Sequence, residues 1–415
     1  MENQKKDEYP GLYRGAEPGQ PPRFRYRYLY YLTHIDNIPS ILKYGILSHK
    51  EVNDKGIEYT PIYNQEIVDM RQSKIIPNGK SLWCYANLYL QPRNPMLYLV
   101  KTKYGSENIA IVACYRGPAY EIKDAFITDG NAANFDTSFY SIDEKDKVFT
   151  MLKDVDGLDY WKAEDGSKRK MMAEVLIPTI YPKEYINSIF VSTQNNKQKV
   201  ESLLLNSGVT VEKGVIVDPR IFFAPDYEYP LTEYLSLLKG DMFFSGMQTL
   251  TVSVNTKGVM GKGLASRAKY QFPDVYIYYQ DYCKSKKLGL GHPVIYKREA
   301  SLDKELADTP SQIDKPNNYT WFLLFATKGD WRNNADIDGI IAGLKWLVNN
   351  YEKEGIKSLA IPALGCGLGR LEWKEMGPIL CKYLSKLKIP VQLYIPAERH
   401  IPDEQLSKSF LLPSE

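Results

Sequence analysis

The chain has 415 residues, of which 44% are hydrophobic and 25% are charged, and its formal net charge is +3. A single hydrophobic core stops growing at about 250–300 residues, so two domains are expected, and the small net charge excludes a strong overall field for holding nucleic acid. Five cysteines without a CxxC pair and only four histidines predict a reduced, cytoplasmic protein without a metal site.

The chain opens on a polar segment rich in Gly and Pro, residues 1–22, which we expect to be flexible. No apolar region follows its charged residues, so we expect no signal peptide. No run of about 18 apolar residues occurs further along, so we expect no transmembrane helix and no membrane partner.

Residues 23–223 are predicted to form a mixed β core with helices. Aromatic and polar side chains alternate over 23–34, which is typical of a strand. A short helix should follow, with Asp36 as its N-cap, Pro39 in its first turn and Gly45 at its end. Further along we expect a helix at 63–72, strands from the apolar segments 81–90, 96–102 and 108–115, an exposed loop with a helical piece over 141–168, strands at 168–178 and 184–192, and a helix at 195–206.

The composition changes at 224–230, where Pro and acidic residues predict a linker. Beyond it strands and helices alternate, so residues 231–415 should form an α/β domain with a mostly parallel or mixed sheet. The expected strands are 249–255, 293–297, 321–327, 357–362 and 390–394, and the expected helices are 263–271, 274–286, 335–353 and 373–386.

Two glycine-bearing loops in this half, 255–265 and 361–373, each follow a predicted strand. Glycine lets the backbone bend sharply and approach a ligand, and the freed amides can hold phosphate oxygens. The first loop is not a P-loop, because neither Ser nor Thr follows Lys262 to hold magnesium. Two such loops predict a diphosphate that is bound without a metal.

The loop sequences NTKGVMGKGLA and IPALGCGLG resemble the macrodomain, an α/β/α fold that binds ADP-ribose, and most closely the DarG antitoxin group. The segment ATKGDWRNNADIDGIIAGL is similar to the TK-x-x-WR segment of that group, and the resemblance covers most of 231–400. It implies an ADP-ribosyl hydrolase in which Lys328 attacks the anomeric carbon of base-linked ADP-ribose. The ADP-ribose-binding residues that it implies are Asn255, Gly258, Val259, Met260, Gly261, Lys262, Gly263, Trp331, Pro362, Leu364, Gly365, Cys366, Gly367, Leu368 and Gly369.

Some residues of this half keep two interpretations. A lysine amine becomes a nucleophile when an enclosed site lowers its pKa, whereas an isolated loop lysine is simply solvated. Trp331 and Arg332 either contact the ligand or anchor their loop. Val252 stands where the DarG group often has Asn. Cys366 has no neighbouring His, so we interpret it as a small packed residue.

The first half carries its candidate residues in dispersed motifs. Glu174 lies in an otherwise apolar predicted strand, so it must have a partner or a function. Arg93 lies between two prolines, which make its backbone rigid, and it is a candidate ion-pair partner of Glu174. An isolated histidine such as His34 is more often structural than catalytic.

The motifs THIDNIPSIL, PRNPMLY, TDGNAAN and MAEVLIP, in this order, resemble the DarT family over 24–223. The resemblance implies an ADP-ribosyltransferase fold that transfers ADP-ribose from its substrate NAD to a base of single-stranded DNA. It implies Arg93 and Glu174 as catalytic residues, with Lys168 and Arg169 as part of the DNA surface. The NAD-binding residues that it implies are Thr33, His34, Ile35, Asn37, Gly45, Leu47 and Arg93, and the DNA-binding residues are Thr128, Asp129, Asn131, Lys168 and Arg169.

The two resemblances together predict a fused toxin–antitoxin enzyme, α+β in its first half and α/β in its second. One half would write ADP-ribose onto DNA and the other would erase it, with NAD, ADP-ribose and single-stranded DNA as ligands of a monomer. Two alternatives stay open. In the first, one half is degenerate, and the chain is a binding module or a pure hydrolase. In the second, the transferase modifies RNA or protein.

Overall fold

The computed structural model describes residues 13–14, 23–24, 28–63, 65–156, 158, 160–162, 164–313, 319–396 and 400–412. The predicted flexible segment 1–22 lies outside these residues except for Tyr13–Arg14, which pairs antiparallel with Arg23–Phe24. The chain forms two compact units. Among the described residues, one unit contains Tyr13–Arg14, 23–223 and 304–313, and the other contains 224–303 and 319–412.

The first unit is built on an eight-stranded sheet with the order β12-β11-β6-β3-β5-β9-β7-β8. Its neighbours are antiparallel except for β11 and β12, which confirms the predicted mixed β core. The strands are β1 Tyr13–Arg14, β2 Arg23–Phe24, β3 Tyr28–His34, β4 Ile46–Leu47, β5 Tyr85–Tyr89, β6 Ile109–Tyr115, β7 Phe126–Thr128, β8 Phe139–Ser141, β9 Glu174–Pro178, β10 Ile180–Tyr181, β11 Ile186–Val191 and β12 Val215–Val217. The helices are α1 Ile38–Tyr44, α2 His49–Asp54, α3 Gln65–Ser73, α4 Pro95–Tyr104, α5 Lys145–Asp156, α6 Ser167–Lys170 and α7 Gln194–Ser207.

Three segments of this unit differ from the sequence expectation, and one of them is the expected strand 168–178, which begins in the helix α6 and is a strand only from Glu174. The apolar segment 96–102 belongs to the helix α4, because Asn94 accepts a hydrogen bond of 2.9 Å from the Leu97 NH and caps the helix ahead of Pro95. An apolar run of this length fits a buried helix as well as a strand. Within 141–168, the expected helical piece is α5, and its Val148, Met151 and Val155 are buried at the helical period, so this part of the segment is not an exposed loop.

The short helix α1 begins later than predicted. His34 Nδ1 accepts the Asp36 NH at 3.2 Å and caps a 3-10 turn over Ile35–Asn37, so Asp36 is not the N-cap. Gly45 ends α1 as predicted, with φ +87°. A Cβ at this position would lie 2.6 Å from the Tyr181 carbonyl oxygen, so both the dihedral and the space require glycine.

The second unit is built on a seven-stranded sheet with the order β13-β14-β19-β18-β15-β17-β16. Its interior pairs are parallel and both edge strands are antiparallel, which confirms the predicted α/β layers. The strands are β13 Tyr227–Pro230, β14 Leu235–Lys239, β15 Thr249–Asn255, β16 Val294–Tyr296, β17 Trp321–Lys328, β18 Leu359–Pro362 and β19 Val391–Tyr394. The helices are α8 Gly263–Gln271, α9 Pro273–Lys284, α11 Ile337–Glu354, α12 Trp373–Leu384 and α13 Lys408–Leu411, and α10 Leu302–Leu306 begins in this unit and ends in residues of the first.

The predicted linker 224–230 is part of this sheet. Its residues Tyr227–Pro230 form the edge strand β13 and pair with Ser236–Lys239. An edge strand tolerates Pro, because one side of it needs no ladder hydrogen bonds. The change in composition at 224 therefore marks the start of the second unit, while the linker interpretation is wrong.

The segment Lys304–Asp314 belongs to the first unit, although the sequence places it within the predicted α/β domain. The Trp161 indole NH donates to the Leu306 carbonyl at 3.0 Å, and the Asp308 NH donates to the Pro95 carbonyl at 3.1 Å. The first unit therefore contains chain from both before and after residues 224–303. None of the helices in the described ranges has the length and hydropathy needed to cross a bilayer.

Candidate active sites

Glu174, the first residue of β9, is fully buried. Its Oε2 lies 3.3 Å from Nη2 of Arg71, and its Oε1 accepts a hydrogen bond of 3.4 Å from the Ala132 NH. Burying a carboxylate is costly unless cations or NH donors face it. Both face Glu174, which gives it the partner that a glutamate in an apolar strand requires.

The arginine at Glu174 comes from α3, where sequence reasoning placed no functional residue. Arg71 is 6% exposed and lies one helical turn from the buried Val68. Its Nε is buried and has no hydrogen-bond partner within the described part of the chain. An arginine on the buried face of the predicted helix 63–72 was the signal that could have found this residue.

Arg93, the arginine expected at this site, points elsewhere. It is 5% exposed, and its guanidinium carbon lies 4.8 Å from the centre of the Phe223 ring. Asn94 and Pro95 start α4 directly after it, so Arg93 immediately precedes the N-cap of that helix. The ion-pair partner of Glu174 is Arg71, which corrects the candidate pairing of Arg93 with Glu174.

Three predicted DNA-binding positions fall in the loop around Glu174, residues 128–137. Thr128 Oγ1 accepts the Glu174 NH at 3.0 Å and donates to the Gly130 carbonyl at 2.6 Å. The Asn131 side chain accepts the Ala133 NH at 2.9 Å. These bonds fix the loop against the start of β9, so Thr128 and Asn131 hold the Glu174 backbone and its surroundings in place.

The other predicted DNA-binding residues are engaged within the same unit. Arg169 forms a two-point ion pair with Asp129, with distances of 2.6 and 3.4 Å, and also donates to Thr137 Oγ1 at 3.2 Å. Lys168 is half-buried, and burial lowers its pKa although the nearby Asp308 carboxylate acts in the opposite direction. Both cations thus face acidic groups of the protein.

The predicted NAD-binding positions at the end of β3 form a local network. The amide of Asn37 accepts the Thr60 NH at 2.8 Å and donates to the Thr60 carbonyl at 2.8 Å, and it also lies 3.2 Å from Thr33 Oγ1. His34 is mostly buried, which lowers its pKa, and Ile35 is fully buried. Asn37 therefore holds the segment 57–63 near the end of β3.

An aromatic cluster close to Arg71 was not found from the sequence. The His49 ring stacks on Trp83 with centroids 5.1 Å apart, and its Nδ1 lies 3.2 Å from the Tyr63 hydroxyl, which in turn donates to Tyr59 at 2.9 Å. Burial and the positive charge of Arg71 lower the pKa of His49 to about 4. The neutral ring is a flat surface for stacking a heterocycle.

Two predicted NAD-binding positions, Gly45 and Leu47, precede this cluster in the chain. Leu47 pairs with Ile180.

An exposed aromatic residue lies on the same loop that surrounds Glu174. Phe135 is 99% exposed. Lys74, which directly follows α3, donates to the Asn134 carbonyl at 2.6 Å, and its Nζ lies 5.8 Å from the centre of the Phe135 ring and 5.4 Å from that of Phe139. The loop and α3 therefore meet twice, at the buried Arg71 and at the surface.

In the second unit, the carboxyl ends of three neighbouring parallel strands meet. Asn255 ends β15, Lys328 ends β17 and Pro362 ends β18. Asn255 is opposite Lys328 in the pairing of β15 with β17, where the register shifts by one residue. Ligands of open α/β sheets bind at this edge, and the three segments that resemble the macrodomain all begin here.

Asn255 shapes the first glycine loop. Its Oδ1 accepts the Lys257 NH at 2.9 Å, and its Nδ2 donates to the Val259 carbonyl at 2.6 Å. Gly258 and Gly263 have φ of +79° and +60°, which favour glycine. The remaining predicted ligand positions of this loop divide by exposure, with Met260 buried and Val259, Gly261 and Lys262 exposed.

The second glycine loop is tightly folded. Gly365 has φ +80°, and a Cβ there would lie 2.6 Å from Leu371 Cδ1. A Cβ on Gly369 would lie 2.4 Å from the Gly365 carbonyl oxygen. Leu364 and Cys366 are buried, as expected for a packed cysteine, while Gly367 and Leu368 are exposed. A Cβ on Gly263 would lie 3.8 Å from Leu368 Cδ1, so the two glycine loops face each other.

Lys328 lies between the second glycine loop and the loop that follows β17. Its Nζ donates to the Asn333 carbonyl at 2.9 Å and to the Leu368 carbonyl at 3.1 Å. Partial burial, with the positive charge of Arg370 added, lowers the pKa of the Lys328 amine. A neutral amine has two hydrogens, and both can stay on these carbonyls. The lone pair then points away from them and is available for nucleophilic attack.

Trp331 and Arg332 lie together on the loop that follows β17. Trp331 is 52% exposed, and the Arg332 guanidinium carbon lies 5.0 Å from the centre of its ring. Val252 is fully buried inside β15, which leaves it no contact with a ligand at the strand end. Within the described ranges, no group of three His, Cys, Asp or Glu side chains is arranged to hold a metal ion.

The chain was compared with known families and solved structures. A family model for DarT, the ssDNA thymidine ADP-ribosyltransferase, matches residues 30–223. A DNA ADP-ribosyl glycohydrolase of Thermus aquaticus is 30% identical over 165 residues, which are 40% of this chain and 42% of that protein. The solved structure of Thermosipho africanus DarTG in complex with ADP-ribose has a TM-score of 0.86 and 52% identity, and the match covers 93% of this chain and 100% of that one. These likenesses confirm the predicted transferase and macrodomain folds.

One relative matches the chain almost from end to end. The DNA ADP-ribosyl transferase-DNA ADP-ribosyl glycohydrolase fusion protein of Thermosipho africanus is 52% identical over 391 residues, which are 94% of this chain and 99% of the relative. The order of the two halves is therefore shared along the whole match. The chain belongs to the family of fused DNA ADP-ribosyl transferase–DNA ADP-ribosyl glycohydrolase proteins, in which a DarT-type transferase precedes a DarG-type macrodomain.

Proposed function

We propose that residues 23–223 transfer ADP-ribose from NAD to a thymine base of single-stranded DNA and that residues 231–415 remove it. The observation that carries the first half is the buried Arg71–Glu174 pair, whose Arg71 Nε has no partner among the described residues. An unsatisfied buried donor costs about 1–3 kcal/mol, and an anionic substrate removes that cost. Thymine is proposed because the matching family model describes a thymidine ADP-ribosyltransferase.

In the transfer step, the bond between the ribose and nicotinamide of NAD breaks, and nicotinamide leaves with the electron pair. The Glu174 carboxylate stabilises the positive charge that develops on the ribose. A ring nitrogen of the base then bonds to the anomeric carbon, and its proton passes to Glu174. Arg71 takes the catalytic position that the DarT resemblance implies for Arg93, because it contacts Glu174 and its Nε is available to the NAD phosphates.

The remaining residues of the first site divide into positioning and contact roles. Asn37 positions the segment 57–63, since Thr60 takes up its amide. The stacked His49 and Trp83 supply a flat wall for a heterocycle of NAD. On the DNA side, the exposed Phe135 beside Lys74 fits an unpaired base and its phosphate.

In the removal step, the neutral Lys328 amine attacks the anomeric carbon of ADP-ribose. A carbon–nitrogen bond forms, the bond to the base breaks, and the base leaves with the electron pair and takes up a proton. Water then hydrolyses the lysine adduct and releases ADP-ribose. The opposed glycine loops hold the diphosphate through backbone amides. The observation that carries this half is the position of Lys328 Nζ between two loop carbonyls.

The direct test separates the two activities in the full chain. With NAD and thymine-containing oligonucleotides, Lys328→Ala should add one ADP-ribose per modified base, which mass spectrometry detects. Glu174→Gln/Lys328→Ala should add none, and oligonucleotides without thymine should stay unmodified. Wild type should remove the adduct that Lys328→Ala leaves. Modification of RNA or protein in place of DNA would refute the proposed substrate.

The two activities also predict opposite effects in cells. Disabling the eraser by Lys328→Ala should be toxic, because modified DNA accumulates, while Glu174→Ala should be harmless. Equal growth of both strains would contradict mutual control within one chain.

We further propose that the protein works as a monomer in the cytoplasm. The absence of any disulfide among its five cysteines is consistent with a reducing compartment.

A further inference from the structure

A cavity of about 580 Å³ lies in the second unit, between the first glycine loop and the end of α9. We infer that it binds backbone phosphates of single-stranded DNA next to the ADP-ribosylated base. This inference rests on the proposed eraser function and adds a DNA-binding site to it. The residues that carry it are Thr256, Lys257, Gly258, Lys284, Lys286 and Gly329.

The cavity begins directly beside the proposed nucleophile. Gly329, which follows Lys328 in the chain, is part of its wall. The Thr256 side chain and backbone NH both donate to the Gly329 carbonyl, at 2.9 and 3.3 Å. A base held at Lys328 is bonded to one deoxyribose, which phosphodiesters join to the nucleotides on either side, so the strand must leave the site along a neighbouring surface. This cavity is such a surface.

The rim of the cavity is cationic. Lys257 comes from the first glycine loop, Lys284 from the last turn of α9 and Lys286 from the turn after it, and all three are exposed. Lys284 also lies 3.8 Å from Asp281, and both side chains are more than two-thirds exposed. Such an exposed pair is weak and gives way readily to another anion.

The helix dipole explains only part of this charge. A cation in the last turn of α9 is stabilised by the negative end of that helix, which accounts for Lys284. It does not account for Lys257, which comes from a separate element and faces the same cavity. Cations from two elements that converge on one hollow indicate an anionic ligand.

The wall of the cavity is hydrogen-bonded to the end of β15. The Tyr279 hydroxyl on α9 donates to the Asn255 carbonyl at 2.7 Å and lies 3.1 Å from its side-chain oxygen. Gly258 fits against the same helix, since a Cβ there would lie 3.7 Å from Cys283 Cβ. The backbone of α9, which ends at Lys284, is thereby held at a constant position relative to Asn255 at the end of β15, which is opposite Lys328.

The chemistry favours a DNA strand over a second small diphosphate. The proposed ADP-ribose site holds its phosphates with backbone amides in enclosed loops, whereas this cavity offers flexible ammonium groups on an open rim. Lysine binds phosphate as a point charge without demanding a fixed geometry. That suits successive phosphates of a flexible single strand, whose affinity is mainly electrostatic and independent of sequence.

Lysine footprinting tests the site without using either enzymatic activity. The full chain is acetylated with an N-hydroxysuccinimide ester, without NAD, in the presence or absence of unmodified oligothymidine. Lys257, Lys284 and Lys286 should be protected by about threefold or more, while Lys374, Lys382 and Lys386, exposed lysines of the same unit, should not change. Protection by pyrophosphate or ADP-ribose but not by oligothymidine would overturn the proposal.

A kinetic test uses the same two sets of lysines. Lys257→Gln/Lys284→Gln/Lys286→Gln should lower kcat/KM about tenfold or more on an ADP-ribosylated oligonucleotide at low salt, and reduce the salt slope by about 2. Release from ADP-ribosylated thymidine should be unchanged, as should both reactions in Lys374→Gln/Lys382→Gln/Lys386→Gln. Equal losses on oligonucleotide and nucleoside would refute the inference. If wild type releases ADP-ribose from neither the oligonucleotide nor the nucleoside, the proposed eraser function is wrong. The lysine footprint alone then decides whether the cavity binds DNA.

Discussion

Arg71 and Glu174 are 103 residues apart in the sequence, and their side chains meet at 3.3 Å in the interior of the first unit. The pair joins α3 to the first residue of β9. Glu174 is fully buried and Arg71 is 6% exposed, so bulk water solvates neither charge well. The pair is therefore a part of the core and, by our proposal, a part of the chemistry.

Glu174→Gln should separate these two roles. The amide keeps the shape of the side chain but cannot accept a proton or stabilise a developing positive charge, so transfer should fall about 10²–10³-fold. The transfer rate is measured on a Lys328→Ala background, where the product persists. Glu121→Gln, outside the site, serves as the matched control and should keep full activity. A Glu174→Gln rate within a few-fold of the background enzyme would refute the role of the carboxylate.

Breaking the pair from the other side should also destabilise the unit. Arg71→Ala leaves the Glu174 carboxylate buried without its cation, which typically costs about 3–5 kcal/mol. Arg71→Leu/Glu174→Met removes both charges and should recover part of this loss while staying inactive. Urea unfolding gives the comparison. If the double variant is less stable than Arg71→Ala, the pair is not a coupled one.

Phe135 should control the affinity for DNA. A phenylalanine that is 99% exposed contributes little to the stability of the fold. Stacking a base on its ring is worth about 1–3 kcal/mol of binding free energy. Phe135→Ala should therefore raise KM for the oligonucleotide by about 5–150-fold with kcat nearly unchanged, and Phe135→Trp should restore it. The control is Phe149→Ala, since Phe149 on α5 is 61% exposed. Equal effects of both alanine variants would contradict a base platform at Phe135.

The second unit was predictable from the sequence to a large extent, because its strands and helices alternate with clear apolar periods and its loops contain glycines. Gly258, Gly263 and Gly365 all have positive φ, so the presence of glycine itself indicates the backbone conformation. Asn255 follows the same logic, since its side chain binds the turn immediately after it. Such local signals can be recognised in the sequence without knowledge of the tertiary structure.

The first site could be predicted only in part, since its residues meet through tertiary contacts. Glu174 was recognisable as a charge in an apolar strand, whereas its partner Arg71 lies in a predicted helix whose contact with β9 the sequence does not reveal. Arg93 carried the same charge in a rigid setting, yet its side chain faces Phe223. The inclusion of Lys304–Asp314 in the first unit likewise has no local signal.

Gly365→Ala should remove ADP-ribose binding. The position combines φ +80° with a Cβ that would lie 2.6 Å from Leu371 Cδ1, so the second glycine loop must move. Gly246→Ala is the matched control, because Gly246 has φ +70° but nothing within 4 Å of the added carbon. Calorimetric titration with ADP-ribose should show a loss of at least about tenfold for Gly365→Ala only. Similar losses in both variants would point to backbone strain in general.

The rate of ADP-ribose removal should follow the protonation of Lys328. Only the neutral amine attacks, so kcat should rise with pH and level off once the pH exceeds the Lys328 pKa. Partial burial and the charge of Arg370 lower this pKa, so the plateau should come at a lower pH than an ordinary lysine would give.

Arg370→Gln removes a positive charge that disfavours the ammonium form. The pKa of Lys328 should rise, and the kcat profile should shift to higher pH with a similar plateau. Lys345→Gln, which removes a charge elsewhere in the unit, should leave the profile in place. Single-turnover release from an ADP-ribosylated oligonucleotide measures all three enzymes. A profile that does not depend on pH, or a shift to lower pH in Arg370→Gln, would show that a group other than the Lys328 amine limits the reaction.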